Sequence, residues 1–280
     1  MLQFSIDTIS ANKGGNMKQV VIVTGGTSGI GLNTAKILAE KGCTVYEFSR
    51  RDTGAAPGVI HIQADVTNEQ QVQAAVQEVL NREKQIDVVI NNAGFGISGA
   101  IEFTETAEAQ RQFDVNFFGM VRVNHAVLPV MRRQGHGRII NMSSVAAPIA
   151  IPFQAYYSAS KAAVRTYSMA LQSEVKPYGI EICVIMPGDV ATGFTAAREK
   201  NPAGDAEYGG RISRSVAVME HDEQTGIPAE NAGAFVAEKA LQKKVPILCT
   251  LGGKYKAFVF LTRLLPNRIL VDLVGNIYAK

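Results

Sequence analysis

The chain has 280 residues, 46% of them hydrophobic and 19% charged, with a formal net charge of +3. That balance describes a globular protein able to bury one large core or two small ones, and it excludes a disordered or low-complexity chain. So small a positive excess, with no aromatic and basic stripe, gives no reason to expect a nucleic-acid partner.

The first sixteen residues, MLQFSIDTISANKGGN, lack the basic start and long apolar centre of a secretory signal. They read as a disordered extension (1–16) ahead of Met17 as the natural start, or as a short arm ordered on a neighbouring subunit. QVVIVT (19–24) is continuous and β-branched, the pattern of a strand buried on both faces. TGGTSGIG (24–31) follows directly, and IGLNTAKILAEKG (30–42) has helical spacing. A glycine-rich turn in that place lets the backbone approach a pyrophosphate, and the helix N-terminus behind it offers free N–H groups.

TVYEFS (44–49) and VIHIQ (59–63) are the next strands, the first ending in Ser49, Arg50 and Arg51. TNEQQVQAAVQEVLNREK (67–84) opens a helix on a Thr67/Gln70 capping box. DVVINN (87–92), GRIINM (137–142), IEICVIM (180–186) and VPILCT (245–250) complete a set of seven strands. Long helical stretches lie around 105–133 and 154–177, and PAENAGAFVAEKALQKK (228–244) begins with proline at a first helical position. Strands alternating with helices, with no linker between them, imply an α/β fold. The expected architecture is a Rossmann-like, doubly wound parallel sheet in a single domain, 17–280. Cys43, Cys183 and Cys249 are odd in number, widely spaced and set in apolar contexts, as expected of reduced thiols in a cytoplasmic protein. The four histidines show no metal-ligand spacing, so no metal site is expected.

QAYYSASKAAV (154–164) sets two tyrosines ahead of a lysine. At about 100° per helical residue, Tyr157 and Lys161 share a face, while Tyr156 lies about 140° from the lysine. Any chemistry here belongs to Tyr157, with Tyr156 left as a packing residue or pocket wall.

Five motifs, VTGGTSGIG (23–31), NNAG (91–94), NMSS (141–144), YSASK (157–161) and PGDVAT (187–192), occur in an order that resembles the short-chain dehydrogenase/reductase family over roughly residues 18–250. The resemblance implies cofactor contacts at Gly25, Thr27, Ser28, Gly29, Ile30 and Gly31, at Val66, Ala93 and Gly94, and at Pro187, Gly188 and Val190. It further implies Asp65 at the adenine, Asn91 near the adenosine ribose, and Thr192 at the nicotinamide carboxamide. NAD-specific relatives carry an acid where this chain has Ser49. Arg50, assisted by Arg51, suits a 2′-phosphate, so NADP(H) is expected and NAD(H) allowed. The competing reading makes the arginines a solvated pair and gives the acid's role to Glu47 or Asp52.

By the same resemblance, Tyr157 protonates a carbonyl oxygen while the nicotinamide delivers hydride to the carbonyl carbon. Lys161 holds the nicotinamide ribose and favours the phenolate, Ser144 orients the substrate oxygen, and Asn116 holds a relay water. Ser143 is expected to tie down backbone. Tyr157 and Lys161 thus belong to both the catalytic and the cofactor-binding sets.

Two regions lie outside this machinery. Residues 193–227, polar and glycine-containing, occupy the family's lid position and are expected to order over bound cofactor and substrate. The extension 251–280 is apolar, and from Lys239 to Lys280 the chain holds eight basic residues and one acid, Asp272. The tail reads as a helix pair over the core, as a wall for a hydrophobic pocket, or as a peripheral contact with an anionic membrane. Polar and proline interruptions exclude a membrane span. A long apolar C-terminus resembles the branch of hydroxysteroid, retinol and acyl-dihydroxyacetone-phosphate reductases. The expectation is an enzyme for a lipophilic ketone or secondary alcohol such as a steroid, bile acid or acyl-lipid. The alternatives are a 3-oxoacyl-(acyl-carrier-protein) reductase and a non-enzymatic NADP(H)-binding regulatory protein. Family members commonly form homodimers or homotetramers, for which Phe117, Phe118, Val164 and Met169 are the candidate contacts.

Overall fold

Valine and isoleucine crowd the strands because both faces of the sheet are covered. In β1 (Val20–Thr24), Val20 and Ile22 enter one helix layer and Val21 and Val23 the other, all at most 2% exposed. The structure, a computed structural model, describes residues 18–52 and 54–279. The expected extension 1–16 and the start at Met17 lie outside the described residues.

Six strands join β1: β2 (Thr44–Ser49), β3 (Val59–Gln63), β4 (Val88–Asn91), β5 (Gly137–Met142), β6 (Ile180–Pro187) and β7 (Leu248–Leu251). All pair in parallel, in the order β7-β6-β5-β4-β1-β2-β3. The helices are α1 (Gly29–Glu40), α2 (Glu69–Glu83), α3 (Thr106–Phe113), α4 (Gly119–Gln134), α5 (Ala155–Val175), α6 (Arg211–Gln224), α7 (Ala229–Leu241), α8 (Gly253–Leu261) and α9 (Asn267–Tyr278). One core layer sets Val76 of α2, Val127 and Met131 of α4 and Leu171 of α5 against Ile22 and Phe48. The other sets Leu38 of α1 and Val236 and Ala240 of α7 against Val45 and Ile140. This is the single-domain, doubly wound parallel sheet that the alternation of elements implies.

Four local expectations change. The cap of α2 is Asn68, whose side chain accepts from the Gln71 N–H at 3.0 Å; Thr67 instead donates its hydroxyl to Asp65 at 2.8 Å. Asn competes well for the N-cap position, and one residue of shift is enough to replace the capping box. Pro228 precedes α7 as its N-cap residue, with ψ 139°, so the first helical position passes to Ala229. Residues 193–227 are not a plain polar loop: they contain the short helix Phe194–Ala197, a strand pairing Glu199–Lys200 with Ile97–Ser98, and all of α6. Its buried stripe, Ile212, Ser215 and Met219, is short and mixed, which hid the helix. Val164 is 1% exposed and belongs to the core, so it offers nothing to a partner subunit, whereas Phe118 and Met169 are exposed.

Replacing Asn68 with Ala should lower unfolding free energy by about 1 kcal/mol in urea titrations. Asn68→Asp should retain it; an unchanged Asn68→Ala midpoint would return the cap to Thr67.

Candidate active site

The sheet order reverses between β1 and β4, so the loops leaving these two strands sit side by side at the switch point where doubly wound sheets bind ligands. Gly25 and Gly29 adopt left-handed φ values of +66° and +54°, which glycine reaches without a Cβ penalty. Gly31 has another constraint: a Cβ there would run into the Gly25 carbonyl and the Asn92 amide. The two loops are clamped together. The Thr24 hydroxyl accepts the N–H groups of Asn92 and Ala93 at 3.0 and 3.1 Å, and the Asn92 amide donates to the Thr24 and Gly25 carbonyls. Sequence reasoning passed over Thr24 and Asn92; the signal was a polar side chain at the end of each strand. Helix α1 begins behind Ser28 with no side-chain cap, leaving the first N–H groups, at Gly29, Ile30 and Gly31, for an anion beside Thr27 and Ser28.

At the far end of β2, Arg50 and Arg51 are exposed, and neither guanidinium has a hydrogen bond or ion pair among the described residues. Glu47 is wholly buried and paired with His61, and Ser49 donates to it at 3.2 Å. Both contacts fall on Oε1, and Oε2 is buried without a partner among the described residues, so it is enclosure that keeps Glu47 from a ribose hydroxyl; Asp52 is an exposed neighbour of His61. One Asp65 oxygen accepts from Thr67, which leaves the other for an adenine, while Val66 is buried. The Asn91 amide donates to Asn124 and Asn141 at 2.9 Å each inside the protein, and its Oδ1 has no partner among the described residues.

Three elements converge beyond the ends of β4 and β5. Ser144 follows β5, Tyr157 and Lys161 lie one turn apart on α5, and Asn116 sits in a π-turn (Asp114–Phe118) joining α3 to α4. Such turns widen a helix locally and recur at functional sites. Asn116 bonds both main-chain groups of Phe95 at 2.9 Å and donates to Ser160 at 3.2 Å. The Lys161 ammonium is 5% exposed, donates to the Met142 carbonyl at 2.9 Å and lies 5.7 Å from the Tyr157 ring centroid. Gly94 borders it: a Cβ there would come within 3.5 Å of the Lys161 nitrogen. Ser143 donates to the Lys161 carbonyl at 2.8 Å, tying backbone as expected.

Burial dominates the titration of both key groups. It pushes the Tyr157 phenol up to about 12, against a smaller lowering by the neighbouring Ser144 hydroxyl. It pushes the Lys161 ammonium down to about 8. With burial dominant and no cofactor bound, the Tyr157 phenol is held neutral.

The PGDVAT segment closes the site. Thr192 lies against Gly29 of the phosphate loop, and its hydroxyl accepts the Phe194 N–H at 3.1 Å. Phe194 packs 5.8 Å from the Tyr157 ring, with the buried, ion-paired Arg198 and Glu223 behind it. A Cβ on Gly188 would collide with the Tyr255 ring, and the Tyr255 hydroxyl donates to Asp189 at 2.5 Å. Pro187 and Val190 are buried beneath this contact.

These residues fit a nicotinamide dinucleotide. There is a glycine cradle with no room for a Cβ, an uncapped helix start, and a buried ammonium whose one described bond leaves donors for ribose hydroxyls. A family model for short chain dehydrogenases matches residues 19–203. A 3-ketodihydrosphingosine reductase of Bacteroides thetaiotaomicron is 39% identical over 236 residues, covering 84% of this chain and 88% of its own. Two solved structures of short-chain dehydrogenases superpose closely. One from Burkholderia phymatum, in complex with NAD, has a TM-score of 0.77 at 23% identity and covers 91% of this chain and 95% of its own. One from Burkholderia cenocepacia, in complex with NADP, has a TM-score of 0.73 at 25% identity and covers 92% and 97%.

Gly31→Ala should weaken cofactor binding at least about tenfold, or ~1.4 kcal/mol, in fluorescence titrations; unchanged affinity would refute the close-approach argument. Lys161 also makes a pH prediction. Its folded pKa lies below the ordinary value of 10.5, so between pH 8 and 10.5 the unfolded chain binds more protons. Its contribution to stability therefore rises with pH across that window. Lys161→Met should remove the rise between pH 8 and 9 in the cofactor-free protein.

Proposed function

The chain belongs to the short-chain dehydrogenase/reductase family, and from that membership we propose that it is an NADP(H)-dependent reductase of a long-chain, lipophilic ketone. It is an oxidoreductase interconverting C=O and CH–OH groups with a nicotinamide cofactor, which when bound supplies or takes up the hydride. The observation that carries the reading is the placement of Tyr157 one turn before the buried Lys161 on α5, with the ammonium 5.7 Å from the Tyr157 ring centroid. Tyr157 donates its proton to the carbonyl oxygen, and Ser144 gives that oxygen a second hydrogen-bond donor. Lys161 and the Asn116 turn hold the tyrosine face of α5 in place and provide the path by which the phenol is reprotonated.

The substrate class follows from the 39% identical relative, whose name denotes a ketone on a long-chain amino alcohol. The Phe194 ring beside Tyr157 supports an apolar substrate. It favours the acyl-lipid type over a steroid or bile acid only in combination with that relative. The Arg50 and Arg51 guanidinium groups, free of partners among the described residues, support NADP(H) over NAD(H). The three free cysteines support a reducing, cytoplasmic setting, and exposed Phe118 and Met169 support self-association as a homodimer or homotetramer.

Turnover should be compared with NADPH and NADH against 3-ketodihydrosphingosine, an oxo-steroid, an oxo-bile acid and a 3-oxoacyl thioester. NADPH oxidation is expected to be fastest with the long-chain keto base. Arg50→Ala should raise the KM for NADPH by about tenfold or more and leave that for NADH unchanged. Equal use of both cofactors by wild type and variant would contradict the phosphate-reading role.

A further inference from the structure

The C-terminal helices carry more apolar surface than the fold covers. Of the twelve exposed large hydrophobic residues among those described, seven lie between 260 and 277, so the excess is a local feature. Phe260, Leu264, Ile269 and Val271 are between 52% and 64% exposed. On α9 the inward stripe is Leu270, Val274 and Tyr278, with Val274 buried. At about 100° per residue, Ile269, Leu273 and Ile277 form a second stripe beside it, and Val271 flanks it on the other side. The apolar arc is therefore about 200° wide, twice what a surface helix needs to pack on a core. Only its middle touches the protein.

The chemistry around this surface is one-sided. Lys254, Lys256, Arg263 and Arg268 accompany it, with Asp272 the single acid in 251–279. Beside α8 an open hollow of about 410 Å³ is lined by Lys256 and Arg263, by Lys239 paired with Glu238, and by Phe235, Leu248 and Phe260. Cations around an apolar floor match a phosphodiester headgroup above acyl chains. A second copy of the chain would bring like charges face to face across a two-fold axis, so self-association matches the patch poorly. No helix among the described residues is long and apolar enough to cross a membrane, which makes the contact a surface one.

We propose that α8 and α9 dock on an anionic phospholipid surface, apolar flank inward and cations at the headgroups. The docked element is fixed to the active-site rim at both ends. Tyr255 bonds Asp189 beside Gly188; at the other end, Tyr278 packs against the buried cluster that holds Ile212 and Met219 of the lid, and Arg211 donates to the Ala279 carbonyl at 2.6 Å. A bilayer held there adjoins the lid, so a lipid ketone can enter from the membrane. This delivery role rests on the lipophilic reading above; the docking itself does not.

The test uses the full chain in flotation assays with phosphatidylcholine vesicles, with and without phosphatidylglycerol. Binding is expected only with phosphatidylglycerol and should fall with added salt. The triple variant Ile269→Ser, Leu273→Ser, Ile277→Ser and the double variant Arg263→Glu, Arg268→Glu should each weaken it by at least about tenfold. Both should keep the melting temperature, NADPH affinity and turnover of a water-soluble ketone. The double variant alters only exposed charges, so the test survives if the triple variant fails to fold. Absence of wild-type binding at any composition overturns the proposal. So does light scattering that shows a wild-type dimer becoming a monomer in the triple variant without vesicle binding. Vesicle binding without turnover of any lipid ketone would sink the substrate reading and leave the docking intact.

Discussion

The Lys161 ammonium, enclosed at the end of β5 with the Met142 carbonyl as its one described partner, governs how this protein is built around its site. Removing an ammonium from water is costly unless its donors are matched, and the depression of its pKa expresses that cost. The surrounding structure keeps the helix from drifting away to relieve it. Ser143 bonds the Lys161 carbonyl, and deeper along α5 the Asn91, Asn141 and Ser168 side chains continue the attachment to Val164. With α5 pinned in this way, Tyr157 is held one turn earlier on the same face, against Ser144. The π-turn at Asn116 and the bare backbone of Gly94 leave room for the ammonium between them. A buried cation with open donors is an unfavourable feature that a ribose and a relay water would relieve.

The cofactor half and the substrate half of the molecule come from different parts of the chain. Strands β1 to β5 and their loops provide the phosphate cradle and the catalytic helix, whereas the lid and tail follow β6. These late segments form one mechanical unit, since Tyr255 bonds Asp189 of the PGDVAT loop and Arg211 of α6 donates to the Ala279 carbonyl. Bolting the tail to the lid means that whatever the tail touches bears on access to Tyr157. The same arrangement explains why the tail serves in part as a cover for the core, through Val259 against Val184 and Met186, while most of α9 faces outward.

Much of this was legible in the residues. The seven strands announced themselves because burial on both faces demands unbroken apolar runs, and Tyr157 was separated from Tyr156 by helical angle alone. The glycine spacing marked a tight turn after β1, and the structure adds the steric reason at Gly31. Other features were hidden for physical reasons. Asn68 and Thr67 are both good capping residues one position apart, so sequence could not choose between them. Helix α6 is short of apolar residues because its buried face is partly serine. The turn of Asn91 into an internal network, and the pairing of Glu47 with His61, depend on neighbours brought in from distant strands. Val164 looked like surface on a helix read alone, yet it faces the sheet. The net direction of the Tyr157 shift was also out of reach, because the degree of enclosure of the phenol is a property of the folded site.

The central claim, that Tyr157 is the proton donor in ketone reduction, is tested most directly by single-turnover reduction of 3-ketodihydrosphingosine with NADPH in wild type and Tyr157→Phe. The account predicts that the variant binds NADPH as tightly as wild type and loses reduction by about 10²-fold or more. Reduction at the wild-type rate in the variant would contradict it, and would move the proton donor to another group.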